Sequence, residues 1–167
     1  SRVPETSTYE PFPYDDDLMS RFGYFRTEFY EYDEQRGVRD AGRRNLINRH
    51  DLWERSYDES GALIPVESRK AKAIPYFLNP DFPEKLEGAA QLTMSQWNAA
   101  AVRGLEALNA SAMSELEEVS GVPQVFVLCH NPVIEGDSKA CGEPGRSVRV
   151  GDLRFSTLDW VDTETMA

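Results

Sequence analysis

The stretch that decides the fold reads AIPYFL at residues 73–78, NPDFP at 79–83 and EKLEGAAQLTMSQWNAAAVRGLEAL at 84–108. Its first run is apolar and has the length of a β-strand, and its last run is long enough for several helical turns. The prolines and the asparagine between the two runs interrupt regular structure. The stretch therefore predicts a strand followed by a long amphipathic helix, and the rest of the chain is organised around this pair.

Apolar and small residues recur along the helix at steps of three and four, which places them on one face. Asn98 falls mainly between them and is expected on the polar side. Asp81 followed by Glu84 fits a capping box at the start of the helix, and Asn109 is a plausible stop. The predicted buried face consists of Leu86, Ala90, Thr93, Trp97, Ala101, Leu105 and Leu108.

Composition limits the class of protein. The chain has 167 residues, of which 40% are hydrophobic, enough for the core of one domain or of a small domain with an extension. The formal net charge of -11 argues against nucleic acid and anionic membranes as partners. No run of eighteen apolar residues is present, so no membrane span is expected. We divide the chain into an arm and β-rich extension, residues 1–72, and a second region, residues 73–167.

The first region predicts an extended arm followed by a β-hairpin. Residues 1–19 contain several prolines and the run DDD at 15–17, which is read as a solvated acidic turn rather than a calcium site. The aromatic segment 22–33 is predicted to pair with 43–53 across a turn at 37–42, and a short helix is the competing interpretation of 43–53. A second turn is expected at 58–61, followed by a short strand at 62–66.

After the long helix, the pattern predicts a second, shorter helix at 111–120. The continuous apolar run at 125–128 is typical of a central strand buried on both faces. A further strand is expected over 148–161, with a break near Gly151. The predicted fold class is therefore α/β or α+β, with a mixed twisted sheet backed by one long helix and preceded by a β-hairpin extension.

The only cysteines are Cys129 and Cys141, separated by a loop rich in Gly, Pro and Asp. A disulfide is the expected pairing in an oxidising compartment, and two separate buried thiols are the alternative. His130 is interpreted as a residue that hydrogen-bonds the loop backbone, because its spacing from the cysteines matches no zinc pattern. His50, between Arg49 and Asp51, is interpreted as a charge-paired structural residue.

Several motifs, in order, resemble the region before the active-site helix in large bacterial metzincin-type zinc proteases. They are an apolar strand followed by a helix with Trp97-Asn98 near its centre, and GDLRFSTLDWV at 151–161, which is similar to an "Asp-x-Arg-Tyr-x-x-x-x-Trp-Val" strand of that group. Upstream segments 22–28 and 48–53 and the segment 128–133 also resemble that group. The resemblance covers most of residues 20–162 and implies a zincin-like N-terminal subdomain.

The resemblance also implies what this chain lacks. In that family, zinc is held by a His-Glu-x-x-His helix and a later histidine, and the glutamate activates the zinc-bound water. The sequence contains no such motif, so it predicts no catalytic residue and no metal ligand here. Zinc is expected in a complementary segment, and another chain or a C-terminal half is expected to cover the sheet after Val161.

Two functions remain open from the sequence. The first is the non-catalytic N-terminal portion of a secreted or cell-envelope zinc endopeptidase, which would act on peptides once completed; whether the chain belongs to an active enzyme is left open. The second is a structural, assembly or binding subunit of an envelope complex without protease activity.

Overall fold

A computed structural model describes residues 8–14, 16–30, 43–149, 151–152 and 154–161. The chain divides into two compact units, the first formed by residues 1–51 with 55–63 and the second by residues 52–54 with 64–167. The boundary proposed from sequence between residues 72 and 73 stays a prediction. The fold is mixed α and β with one long helix, as expected, and the described strands form three small sheets.

The first unit contains the predicted hairpin. Helix α1 spans Asp16–Arg21, and strands β1 (Arg26–Tyr30) and β2 (Arg43–Ile47) pair antiparallel. The hairpin predicted for the segments 22–33 and 43–53 is therefore confirmed. The turn predicted at 37–42 lies outside the described residues. The extended arm predicted to run to residue 19 is wrong at its end, because α1 begins at Asp16 and incorporates part of the acidic run.

The turn expected at 58–61 is present. The Asp58 carboxylate accepts hydrogen bonds from the Ser60 hydroxyl and from the backbone N–H groups of Ser60 and Ala62, and these bonds lower the pKa of Asp58. The strand expected at 62–66 is wrong. Leu63 forms only a single bridge with Tyr57, and a 3-10 turn begins at Val66.

The second unit is built on three parallel strands. They are β3 (Ile74–Leu78), β6 (Phe126–Cys129) and β7 (Ser156–Leu158), arranged in the order β6-β3-β7. Ile74 lies opposite Phe126, and Leu78 lies opposite Leu158. Helix α2 (Glu84–Leu108) connects β3 to β6, so these elements form a parallel strand-helix-strand unit.

The strand predicted at 125–128 is present, but its predicted central position is wrong. Most of β6 is buried, as the apolar run suggested, yet the strand lies at one side of the three-stranded sheet and β3 is central. Burial of both faces and a central position are different properties, and an apolar run reports only the first. The strand expected over 148–161 shortens to the three residues of β7.

Alternate residues of the sheet enter two separate cores. Ile74, Tyr76 and Phe126 pack on the face covered by α2, in a cluster that includes Met94 and Leu105. The opposite face is covered by the loop that contains the disulfide. Its cluster comprises Phe77, Val127, Cys129, Val133, Cys141 and Val148, with Ala73, Ala140 and Phe155 packed against it. The period-two alternation of strand side chains thus supplies both layers.

Helix α2 ends as predicted but begins differently. Asn109 is the C-terminal cap, and its N–H donates to the Leu105 carbonyl over 2.7 Å. The predicted Asp81–Glu84 capping box is wrong, because Pro83 occupies the cap position and no side chain bonds the first turn. Proline can precede a helix in this way because its fixed φ suits the entry of the chain.

The short helix predicted at 111–120 is also wrong. The Asn109 side chain accepts the Ser111 N–H, and a 3-10 turn over Ala110–Met113 follows. Strands β4 (Glu118–Val119) and β5 (Val122–Pro123) then form a small hairpin. Its two turn residues, Ser120 and Gly121, have φ values of 54° and 77°. A Ser-Gly pair with left-handed φ specifies a two-residue hairpin and excludes a continuing helix.

The buried face of α2 is rotated from the predicted one. Ala90 and Leu105 are buried as expected, but the indole of Trp97 remains 42% exposed, whereas Asn98 is only 1% exposed. The Trp97 ring contacts the rings of Tyr76 and Phe126 in edge-to-face geometry. The centroid-to-centroid distances are 5.8 Å and 5.7 Å, respectively. Leu108, predicted on the buried face, is exposed. The expectation that Asn98 lies on the polar side is therefore wrong.

Asn98 is buried because it completes the outer edge of β6. Its side-chain N–H donates to the Phe126 carbonyl over 2.8 Å, and its side-chain oxygen accepts the Phe126 N–H over 2.8 Å. Its amide also donates to the Gln124 side chain over 3.0 Å. The amide therefore takes the place that a neighbouring strand would occupy, and it satisfies both backbone groups of an edge residue.

We expect the substitution Asn98→Leu to lower the free energy of unfolding by about 2–4 kcal/mol, because it leaves a buried N–H and a buried C=O without partners. Urea unfolding followed by tryptophan fluorescence measures the change. Gln91→Leu, which also replaces a side-chain amide by leucine but at an exposed position of α2, is the control and is expected to change stability by less than about 0.5 kcal/mol. Equal midpoints for the two variants would contradict the role assigned to Asn98.

The predicted disulfide joins Cys129 at the end of β6 to Cys141 in the loop, and both residues are fully buried. It connects the sheet to the layer that covers its second face. We expect the double variant Cys129→Ala, Cys141→Ala to be about 3 kcal/mol less stable than the oxidised protein. Thermal and urea unfolding with and without a reductant provide the measurement. A reductant that destabilises the double variant as much as the wild type would show that the effect does not come from this bond.

Among the described residues, no helix combines the length and the apolar character that crossing a membrane requires.

Candidate functional site

The carboxyl ends of β3, β6 and β7 meet at one edge of the sheet, because the three strands are parallel. In open parallel sheets, this edge is where ligands usually bind. The residues that follow the three strands are Asn79, His130 and Asp159. The edge therefore brings an amide, an imidazole and a carboxylate to one side of the second unit.

Asn79 continues the hydrogen bonding between β3 and β7 beyond the end of β3. Its backbone N–H donates to the Leu158 carbonyl over 3.2 Å, and its side-chain oxygen accepts the Trp160 N–H over 3.0 Å. Its side-chain amide approaches the Trp160 carbonyl at 3.4 Å. The side chain thus extends the sheet pairing past the end of β3, and the crevice between these two strands is filled by the chain itself.

His130 is held by Asp137. The ring Nδ1 lies 2.7 Å from one oxygen of the Asp137 carboxylate, and the other oxygen accepts the backbone N–H groups of His130 and Ile134, each over 3.1 Å. The Asp137 side chain is only 6% exposed. One carboxylate therefore organises the turn after β6 and fixes the orientation of the imidazole.

The second ring nitrogen of His130 faces helix α2. Its Nε2 lies 3.9 Å from a carboxylate oxygen of Glu87, near the beginning of α2. The imidazole is thus placed between two carboxylates and is partly exposed. This arrangement resembles the oriented histidine of a general base, but in the described part of the chain its ring contacts carboxylates and no nucleophile.

The sequence interpretation of His130 needs correction. Its ring bonds the Asp137 carboxylate and not the loop backbone; it is the backbone N–H of His130 that joins the loop network. The sulfur of Cys129 is bonded to that of Cys141, so Cys129 is not a free thiol beside His130 in this structure. The described residues also include no cluster of three metal-ligating side chains. Asp137 and Glu87 were missed, because only folding places them beside the ring.

His50 belongs to the first unit. Burial lowers the pKa of His50, because removal from water disfavours the charged imidazolium. Its interpretation as a charge-paired residue stays a prediction.

A concave surface lies on the loop before β7. We call it the arginine groove and define it by its lining residues. The groove has a volume of about 510 Å³ and is open to solvent. It is lined by Arg146, Ser147, Arg149, Gly151, Asp152, Arg154 and Phe155. Three arginines within nine positions of an acidic chain are visible in the sequence, and this concentration of positive charge is the signal that could have identified the groove.

No protein-family model, curated protein or solved structure matches this chain.

We expect Asp137→Asn to lower the free energy of unfolding by about 1–3 kcal/mol, because an amide nitrogen would replace one of the oxygens that accept hydrogen bonds. Chemical unfolding measures stability, and the ring NMR signals of His130 report its orientation. Glu135→Gln removes the same charge from an exposed position of the same loop and serves as the control. If both variants lose equal stability, the effect is one of loop charge and not of the Asp137 network.

Proposed function

We propose that this chain forms the upper sheet and backing helix of a metzincin-like zinc endopeptidase, and that another segment or chain supplies the zinc ligands. The observation that carries the proposal is the parallel β3-α2-β6 unit with β7 added on the other side of β3. A sheet with one backing helix is the arrangement that the sequence resemblance implies.

The positions of the motifs support the same proposal. The strand, the helix with Trp97-Asn98 and the motif at 151–161 resemble that family in sequence order. In the structure they become β3, α2 and β7, which belong to the same unit, and the segment 128–133 begins at the carboxyl end of β6. Three of the resemblances thus belong to adjacent elements of one sheet and its helix.

The outer side of β7 favours the proposal that a further segment covers the sheet. Among the described residues, β7 pairs only with β3. Trp160 and Val161, which follow it, are exposed. Unpaired strand edges and neighbouring apolar side chains are features that proteins usually cover. A strand from the complementary segment or a second chain would satisfy both.

The chemistry would then come from that complementary segment. The described residues offer no zinc site, and the imidazole of His130 is already committed to Asp137. The role proposed for the chain is therefore to support and orient a peptide-cleaving centre, with no catalytic residue of its own.

The Cys129–Cys141 disulfide supports the proposed secreted or cell-envelope location. Disulfides persist in oxidising compartments and are rare where thioredoxin and glutathione keep thiols reduced.

The test compares the 167-residue chain with the polypeptide encoded by its full reading frame, or with its complex with a co-purified partner. We expect the chain alone to bind no stoichiometric zinc and to cleave no peptide. The completed protein should contain one zinc ion and should cleave peptides in a chelator-sensitive manner. Elemental analysis and a fluorogenic peptide library provide the measurements.

A His-Glu-x-x-His motif in the completed protein provides the matched control. Substitution of its glutamate by glutamine should abolish cleavage while zinc remains bound. A completed protein without that motif, or with zinc-independent cleavage, would overturn the proposal.

The alternative is an assembly or binding subunit without protease activity. The exposed aromatic side chains of the first unit favour it, among them Phe22, Phe25 and Tyr30. Stoichiometric zinc together with peptide cleavage by the 167-residue chain alone would exclude this alternative. A monodisperse monomer at high concentration, with no co-purified partner, would count against both proposals.

A further inference from the structure

The arginine groove contains a guanidinium group whose position is fixed by packing. The Arg146 side chain lies over the Phe155 ring, with its Cζ 4.9 Å from the ring centroid. On its other side it lies so close to Gly142 that an added Cβ there would be 2.7 Å from Arg146 Nη1. Phe155 is itself held edge-on against the buried Phe77, with centroids 5.6 Å apart. These contacts orient the exposed Arg146 side chain along the groove.

A second guanidinium in the groove is already neutralised. Arg154 donates two hydrogen bonds to the Asp152 carboxylate, over 2.9 Å and 2.6 Å. This fork lowers the pKa of Asp152 to about 2, so the carboxylate is ionised at neutral pH. The pair contributes no net charge to the groove.

Arg146 and Arg149 are different. Neither guanidinium bonds a carboxylate among the described residues, although Arg149 lies near enough to Asp152 to lower the pKa of that carboxyl. Three arginines and one aspartate line the groove, so two positive charges remain without a balancing negative charge among the lining residues. This concentration is unusual in a chain whose net charge is -11. Guanidinium groups bind carboxylate and phosphate through paired N–H donors.

We propose that the arginine groove binds an organic ligand that carries two oxyanion groups, either carboxylate or phosphate. The two uncompensated guanidiniums match two negative charges. The volume of about 510 Å³ exceeds what a single inorganic ion needs and lies within the range of small-molecule sites. The site is independent of zinc and of the proposed protease role.

Isothermal titration calorimetry of the oxidised chain tests the proposal with three probes. Succinate presents two carboxylates, pyrophosphate presents two phosphoryl groups, and acetate presents one carboxylate. We expect saturable one-to-one binding of succinate or pyrophosphate, at least tenfold tighter than that of acetate and weakened by added NaCl. Tighter binding of succinate identifies a dicarboxylate ligand, and tighter binding of pyrophosphate identifies a phosphorylated one.

Matched variants locate the binding. Arg149→Ala should weaken binding at least tenfold, the loss expected for one charge-assisted interaction. Arg103→Ala removes the same charge from the exposed surface of α2 and should leave the affinity unchanged. Asp152→Asn should strengthen binding several-fold, because it frees the Arg154 guanidinium. Circular dichroism and the melting temperature verify that each variant is folded.

Three results would contradict the proposal. The first is the absence of saturable binding of both succinate and pyrophosphate to the wild-type chain. The second is an equal loss of affinity in the Arg149 and Arg103 variants, which would show that only the overall charge matters. Arg146→Lys keeps the charge but not the planar fork, and a wild-type affinity for this variant would likewise contradict paired recognition by Arg146. None of these results depends on whether the chain belongs to a zinc protease.

Discussion

The two hydrogen bonds between the Asn98 side chain and the backbone of Phe126 are the interaction on which the second unit depends. A parallel sheet of three strands has two open edges, and its backbone groups cost free energy if they are buried without partners. A helix side chain satisfies the Phe126 backbone groups at the β6 edge, so α2 is fixed to the sheet in both position and rotation. The half-exposed indole of Trp97 and the rotated buried face of α2 follow from this constraint.

The opposite face of the sheet is covered without a second long helix. The loop between β6 and β7 folds back over Phe77 and Val127, and the Cys129–Cys141 bond anchors it to the end of β6. The Asp137 carboxylate organises the next part of the same loop through two backbone N–H groups and the His130 ring. A covalent bond and a buried carboxylate thus replace a layer that other parallel sheets build from helices.

The carboxyl edge of the sheet and the arginine groove differ in how many of their polar side chains are already bonded within the chain. The carboxyl edge is largely occupied by internal bonds of Asn79 and Asp137, so the reactive groups there serve the fold. The arginine groove differs, because two of its guanidinium groups make no hydrogen bond to a carboxylate among the described residues. The outer side of β7 pairs with no described strand. The proposed small-ligand site and the proposed covering segment therefore rest on different features of the second unit.

The sequence by itself determined only some of the local elements, because hydrophobic periodicity and turn residues act over a few positions. It predicted the long helix and its end at Asn109, the hairpin of the first unit and the disulfide. Only the tertiary structure decided that β3 is central, that Asn98 faces inward, and that Asp137 and Glu87 flank His130. These features depend on hydrogen bonds between residues distant in sequence, and periodicity carries no information about such partners. The arginine groove lies between the two cases: its charges are visible in the sequence, but only the fold shows which of them are already paired.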